Sequence, residues 1–254
     1  MISKRRHKDL SALQVKKNRA ENKLFLVEGE KMVDELLLSG WSIRTLVATI
    51  DWIESHSKAA QKCDELIEAT ADELKKISSL KTPNKVVAVV RENEKKIQIK
   101  DLQEQLVLVL DEIQDPGNLG TIIRLSDWFG IKNIICSNST VEVYNPKVVQ
   151  SSMGSIFRVV VEYKELSVWL PEYVKAFKLP VYGAFLEGEN IYEQKLTSNG
   201  LILLGNESKG ISAEAGKFVT KKLFIPRNSA SGAESLNVSV AAAIICSEFR
   251  RGGK

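Results

Sequence analysis

The sequence predicts a two-domain α/β protein whose C-terminal domain is built on a mostly parallel sheet. Three observations carry this. Residues 106–110 (LVLVL) are consecutively apolar with no polar alternation, the pattern of a strand covered on both faces. From there onward, short apolar runs alternate with amphipathic stretches, as in repeated strand–helix–strand units. Upstream, residues 91–101 (RENEKKIQIKD) are charged with only Ile97 and Ile99 apolar, the composition of a link between domains.

The boundaries follow as 1–95 for the first domain, 96–105 for the linker and 106–254 for the second. In the first domain, a helix is predicted over 28–39, stopped by Gly40, and a strand over 43–49. Helices over 57–69 and 71–78 follow, then a turn at Lys81-Thr82-Pro83-Asn84 and a buried strand over 86–90. In the second, strand 106–110 leads into helix 119–129, ended by Gly130. Strand 133–136, helix 145–155, strand 158–162 and helix 166–177, with Pro171 inside it, come next. Strands 181–186 and 201–204, helix 212–219, strand 223–225 and a last Ala-rich helix to about Arg250 complete the order.

Hydrophobic residues make up 44% and charged residues 27%, which suits a globular chain. No apolar run approaches ~18 residues, so no membrane span is expected. The basic start, Met1-Ile2-Ser3-Lys4-Arg5-Arg6, has no apolar segment after it and does not read as a secretory signal. Cys63, Cys136 and Cys246 are far apart and odd in number, which points to buried thiols in a reducing cytoplasm. With His7 and His56 the only histidines, no metal site is expected. Residues 1–23 hold eight basic and two acidic residues, a net +6 within a chain of net +4. Lys4, Arg5, Arg6 and Lys8 lead that segment and suggest a polyanion partner.

Three polar loops follow buried strands. The first runs from Asp111 through Asn118 into a helix carrying Arg124. The second is Gly205-Asn206-Glu207-Ser208-Lys209-Gly210. The third leads from Ile225-Pro226 to Ser235-Leu236-Asn237. Loops at the carboxyl ends of parallel strands converge, so Asn118, Arg124, Glu207, Ser235 and Asn237 are expected to share one site. Neither glycine loop has dinucleotide or P-loop spacing. The residues alone leave the reaction open.

In this order and spacing, the loops resemble the three motifs of the SpoU-type RNA 2′-O-ribose methyltransferases of the SPOUT class. Motif one is Asn118-Leu119-Gly120-Thr121-Ile122-Ile123-Arg124. Motif two is Leu203-Leu204-Gly205-Asn206-Glu207 with Gly210, and motif three is Ile225-Pro226 with Ser235-Leu236-Asn237-Val238-Ser239. Val27-Glu28-Gly29-Glu30 and Ser79-Leu80-Lys81-Thr82-Pro83 resemble the family's L30e-like substrate-binding domain. The resemblance implies a trefoil knot in the C-terminal domain and a homodimer. It implies S-adenosyl-L-methionine held around Leu204, Gly205, Ile225 and Leu236. It also implies catalysis by Asn118, Arg124, Glu207, Ser235 and Asn237, and RNA held by the basic segment. Ribosomal RNA is the expected substrate ahead of transfer RNA. A non-catalytic RNA-binding protein of the same fold is the alternative. The stretch 227–234 is longer than the family's usual loop.

Overall fold

The computed structural model describes residues 2–80, 84–228, 232 and 234–251. Lys81, Thr82 and Pro83 of the expected turn, and Ser229, Ala230, Ser231 and Ala233 of the long third loop, lie outside the described residues. The chain divides into two compact units. One is Met1–Glu94 with Glu142–Phe157; the other is Lys95–Val141 with Arg158–Lys254.

The first unit contains α1 (Lys4–Ala12), α2 (Lys16–Asn22), β1 (Leu24–Glu28), α3 (Glu30–Ser39) and β2 (Ile43–Ala48). α4 (Ile50–Ser55), β3 (Cys63–Glu68), α5 (Ala71–Ile77) and β4 (Val86–Arg91) follow. The strands lie in the order β1-β4-β2-β3, with β4 antiparallel to both its neighbours and β2 parallel to β3. The helix starts are chemically marked. Ser3 caps α1 by accepting from Arg6 N, and Thr70 and Glu73 cap α5 reciprocally. Gly29, at φ +97°, turns the chain from β1 into α3.

Three expectations are corrected here. Residues 57–69 are not a helix but a 3-10 turn, Ala59–Lys62, followed by edge strand β3. Over six half-exposed residues the helical and strand periods are hard to tell apart, and pairing with β2 decides. Helix 28–39 starts later, at Glu30, because Glu28 ends the unforeseen strand β1. Its buried carboxylate accepts from Ser78 Oγ, Ser79 N and Ser79 Oγ. The residues of the basic N-terminal segment are not all open to a partner. They fold as α1 and α2, and Arg19 is only 2% exposed. Arg19 grips Glu142 with two parallel bonds, Nε to Oε1 at 2.9 Å and Nη2 to Oε2 at 2.7 Å, and donates to the carbonyls of Leu13 and Gln14.

The second unit opens with residues 95–105, whose Ile97 and Leu102 are buried in the same core as Val107, Trp169 and Tyr173. β5 (Leu106–Leu110), α6 (Pro116–Trp128) and β6 (Asn133–Ser137) follow. Helix α7 (Pro146–Ser152) lies in the segment that packs with the first unit. β7 (Val160–Lys164), α8 (Leu166–Ala176), β8 (Val181–Asn190), β9 (Gly200–Leu204), α9 (Ala213–Gly216), β10 (Lys221–Phe224) and α10 (Val238–Arg251) complete it. Helix 212–219 shrinks to the single turn of α9, because the chain re-enters the sheet at Lys221. All strand pairs are parallel, in the order β10-β8-β9-β5-β6-β7. β5 and β9 are buried along their whole length, which explains their unbroken apolar sequences. α6 and α10 pack together, and Arg250 Nε donates to the Phe129 carbonyl at 3.0 Å. Cys136 and Cys246 are buried thiols, while Cys63 is half-exposed at the start of β3.

This topology places the ends of β5, β9, β8 and β10 along one edge of the sheet.

Candidate active site

The first loop is built to present Asn118. Asp115 caps α6 by accepting from Asn118 N at 2.8 Å, and Pro116 occupies the first helical position with its φ already set. Asn118 therefore sits in the first turn of α6. Its Nδ2 donates to Glu207 Oε1 at 2.6 Å, and its Oδ1 accepts from Asn237 Nδ2 at 3.0 Å. This order is chemically forced. An ionised carboxylate only accepts, so it takes the amide's donor end and leaves the oxygen for Asn237.

Asn237 uses its own Oδ1 to cap α10, accepting from Ser239 N at 2.9 Å and Ser239 Oγ at 2.6 Å. One chain, Glu207–Asn118–Asn237, thus ties the β9 loop, the start of α6 and the start of α10. Three of the five residues expected at the site are brought together. Ser235 and Arg124 stand outside this chain. Ser235 is exposed just before Asn237, which takes the capping role. Arg124 is exposed and has no hydrogen-bond or ion-pair partner among the described residues. Ile122 and Ile123 on the opposite side of α6 are fully buried, so the backbone under Arg124 is fixed while its guanidinium is free.

The second loop is closed tightly. Asn206 and Gly210 exchange backbone hydrogen bonds at 3.0 and 2.9 Å. Asn206 Oδ1 accepts from Ser208 N and Lys209 N, and its Nδ2 donates to the Glu112 carbonyl at 2.9 Å. A Cβ on Gly205 would lie under 3 Å from the Gly210 and Ile211 backbone, so only glycine fits. Leu204 is buried at the end of β9, Ile225 is half-buried, and Leu236 is 48% exposed.

One residue escaped sequence reasoning. β8 pairs with β10 through Gly183, then again only from Glu189, so residues 184–188 bow out of the ladder. Leu186 sits in that bow, 73% exposed, on the strand between β9 and β10. An exposed leucine where the strand expected over 181–186 ends was the available signal. Its place between the two glycine- and proline-marked loops depends on strand order, which no local pattern reveals.

In the first unit, Lys4, Arg5 and Lys8 are exposed on α1. Arg6 is not available in the same way. It is paired with Glu65 and donates to Thr45 Oγ1 at 3.3 Å.

A parallel α/β unit with three loops joined through Asn118 is the setting of the three SpoU-type motifs, and the chain belongs to that family. The model described as the SpoU rRNA Methylase family matches residues 105–247, and that of the MRM3-like substrate binding domain matches residues 4–88. The 23S rRNA (guanosine(2553)-2′-O)-methyltransferase of Bacillus subtilis is 33% identical over 245 residues, covering 96% of this chain and 95% of the relative. The solved structure of a TrmH-family protein from Porphyromonas gingivalis superposes with a TM-score of 0.89 at 38% identity, covering 99% of each chain. An AdoMet-bound rRNA methyltransferase from Sinorhizobium meliloti superposes with a TM-score of 0.87 at 28% identity, covering 100% of this chain and 98% of that one.

Proposed function

We propose that this protein transfers a methyl group from S-adenosylmethionine to a ribose 2′-hydroxyl of ribosomal RNA. The observation that carries this reading is the Glu207–Asn118–Asn237 chain, which joins all three family motifs at one sheet edge. The cofactor fits the residues present. Leu186, Ile225 and Leu236 offer apolar surface for an adenosine, and the closed Gly205 loop offers fixed backbone groups beside it. When bound, S-adenosylmethionine supplies an electrophilic methyl on a sulfonium.

The protein's own residues then position and stabilise. Arg124 is a free cation on a rigid helix. Its planar fork grips the ribose–phosphate in two-point fashion and stabilises the negative charge on the 2′-oxygen as the hydroxyl passes its proton to a base or to solvent water. Free guanidinium is a poor general base, so orientation and charge stabilisation are the roles assigned to Arg124, with a base role left open. Asn118, Glu207 and Asn237 hold α6 and α10 in register, which fixes where Arg124 stands. Ser235 is a further hydrogen-bonding group beside Asn237. The reading predicts that the folded protein binds S-adenosylmethionine and not NAD in titration calorimetry. It also predicts that deleting the gene removes a 2′-O-methyl from ribosomal RNA. The B. subtilis relative makes large-subunit RNA the first to map, with transfer RNA second. RNA binding without any methyl transfer favours the non-catalytic alternative.

The same reading includes a trefoil knot in the C-terminal domain, a homodimer and a cytoplasmic location. The dimer is supported by an exposed stripe on α6. Arg124 and Trp128 lie one turn apart on one face, and Trp128 is 86% exposed. Val240, on the packed partner helix α10, is 47% exposed. An exposed tryptophan with a second exposed apolar residue on the packed helix suits an interface centre. Trp128→Glu is expected to give monomers by size-exclusion chromatography with light scattering. A wild-type mass unchanged by this substitution removes α6 from the interface.

RNA capture by the first unit is a matter of phosphate contacts, which make affinity salt-dependent. Changing Lys4, Arg5 and Lys8 together to Gln is expected to weaken RNA binding. The slope of log K against log salt should flatten by up to about 2, at roughly 0.7 per single-stranded phosphate contact. S-adenosylmethionine affinity should stay as in the wild type. An unchanged salt slope means that α1 is only a solvated face.

A further inference from the structure

Asp111 stands immediately after β5 and is 4% exposed. Its backbone N–H donates to the Leu204 carbonyl at 2.8 Å, the last residue before the Gly205 loop. Its side-chain Oδ2 accepts from Ser212 N at 2.8 Å, the first residue after Ile211 ends that loop. One residue therefore holds both ends of residues 205–211. The neighbouring Glu112, held at φ +58°, offers its carbonyl to Asn206 Nδ2 and pins the start of the loop from the same strand end. The loop's internal Asn206–Gly210 pair closes it on itself.

We infer that Asp111 is a positioning residue for methyl transfer, clamping the Gly205 loop into the form that receives the cofactor. This rests on the S-adenosylmethionine reading above. The physical argument concerns preorganisation. A loop that is closed only part of the time lowers apparent affinity by the fraction of time it is competent. A buried carboxylate accepting a backbone N–H is a strong anchor, and losing a hydrogen bond to a charged group costs about 10- to 100-fold in an equilibrium constant. Cofactor at saturation re-forms the loop, so the chemical step is largely restored. The clamp therefore acts on binding, whereas Arg124 acts on the chemical step.

The test uses the full-length protein. Asp111→Ala is expected to raise both the calorimetric Kd and the KM for S-adenosylmethionine about 10- to 100-fold, with kcat at saturating cofactor within about threefold of wild type. Asp111→Asn keeps an acceptor oxygen and should recover most of the affinity. The clamp is probed from the other side by Ser212, whose φ of −59° already suits proline. Ser212→Pro removes the N–H donor and should reproduce the Asp111→Ala effect. Ser212→Ala keeps the N–H and loses only the cap that Oγ gives Ala215 N, and should bind cofactor as the wild type does. A folded Asp111→Ala with unmoved Kd and KM overturns the inference, as does a fall in kcat at unchanged KM. If Asp111→Ala fails to fold, equal affinities in Ser212→Pro and Ser212→Ala overturn it. Loss of folding in both Asp111→Ala and Ser212→Pro overturns it too, since Asp111 is then a fold determinant. Wild-type protein that binds no S-adenosylmethionine sinks the cofactor reading itself, a result these variants do not mimic.

Discussion

Gly205→Ala is expected to lower S-adenosylmethionine affinity by at least about a hundredfold and to remove methyl transfer at ordinary cofactor concentrations. The cause is space. Gly205 is absent from the positive-φ residues, so alanine meets no conformational barrier there. Its Cβ would instead lie under 3 Å from the Gly210 carbonyl carbon and the Ile211 nitrogen. These are backbone atoms, so no side-chain rotation relieves the overlap. The loop must open, which breaks the paired bonds between Asn206 and Gly210 and carries Glu207 away from Asn118. Overpacking of this kind costs about 1–3 kcal/mol, and each lost hydrogen bond adds about 1 kcal/mol. That sum falls on the loop rather than on the core, since Leu204 and the rest of β9 are held by β5. The folded state carries that cost, so the melting temperature should drop by roughly 10 °C or more while the protein still folds. Gly210→Ala is the control. Gly210 has φ +71° but open space around its Cβ position, so alanine there adds only left-handed strain of roughly 1–2 kcal/mol. Its affinity loss should be about tenfold. Calorimetry on both variants, alongside thermal melts, decides. A folded Gly205→Ala that binds like wild type would mean that this loop is not the cofactor's seat.

The central strand β5 was legible because a strand buried on both faces has to be apolar throughout, and LVLVL says so locally. Asn118, Glu207 and Asn237 were legible as polar residues after buried strands, and parallel topology brings such loops together. The links between them were not. That Asn118 donates to one residue and accepts from the other depends on three loops separated by 89 and 119 positions. Period alone misread residues 57–69, because Cys63–Glu68 is a half-exposed edge strand whose partner β2 is an external constraint. Composition alone made Arg6 look like its neighbours, while the fold pairs it with Glu65 and leaves Lys4, Arg5 and Lys8 exposed. Local pattern also assigned residues 145–155 to a helix without showing with which unit α7 packs. In each case the missing information was a partner distant in sequence.

Arg124→Ala is expected to cost roughly 10²–10⁴ in single-turnover methyl transfer, the range for one positioned electrostatic or proton-transfer group. The fold predicts that nothing else should change much. Arg124 is exposed, makes no bond among the described residues, and shares its side of α6 with Thr121 and Trp128 rather than with the buried Ile122 and Ile123. Truncating it therefore opens no cavity and orphans no partner, so the melting temperature should stay within about a degree. Cofactor affinity should also hold, because the Glu207–Asn118–Asn237 chain does not include Arg124. Arg124→Lys should recover little, since an ammonium is a point charge and lacks the planar two-point fork. The contrast with Asp111 sharpens the test. Loss of the clamp raises KM and spares kcat, while loss of Arg124 lowers kcat and spares cofactor KM. Reaction with saturating S-adenosylmethionine and RNA isolates the chemical step. An Arg124→Ala enzyme running near the wild-type rate would return Arg124 to the solvated face of α6, and Ser235, the other exposed motif residue without a place in the chain, would become the next to replace.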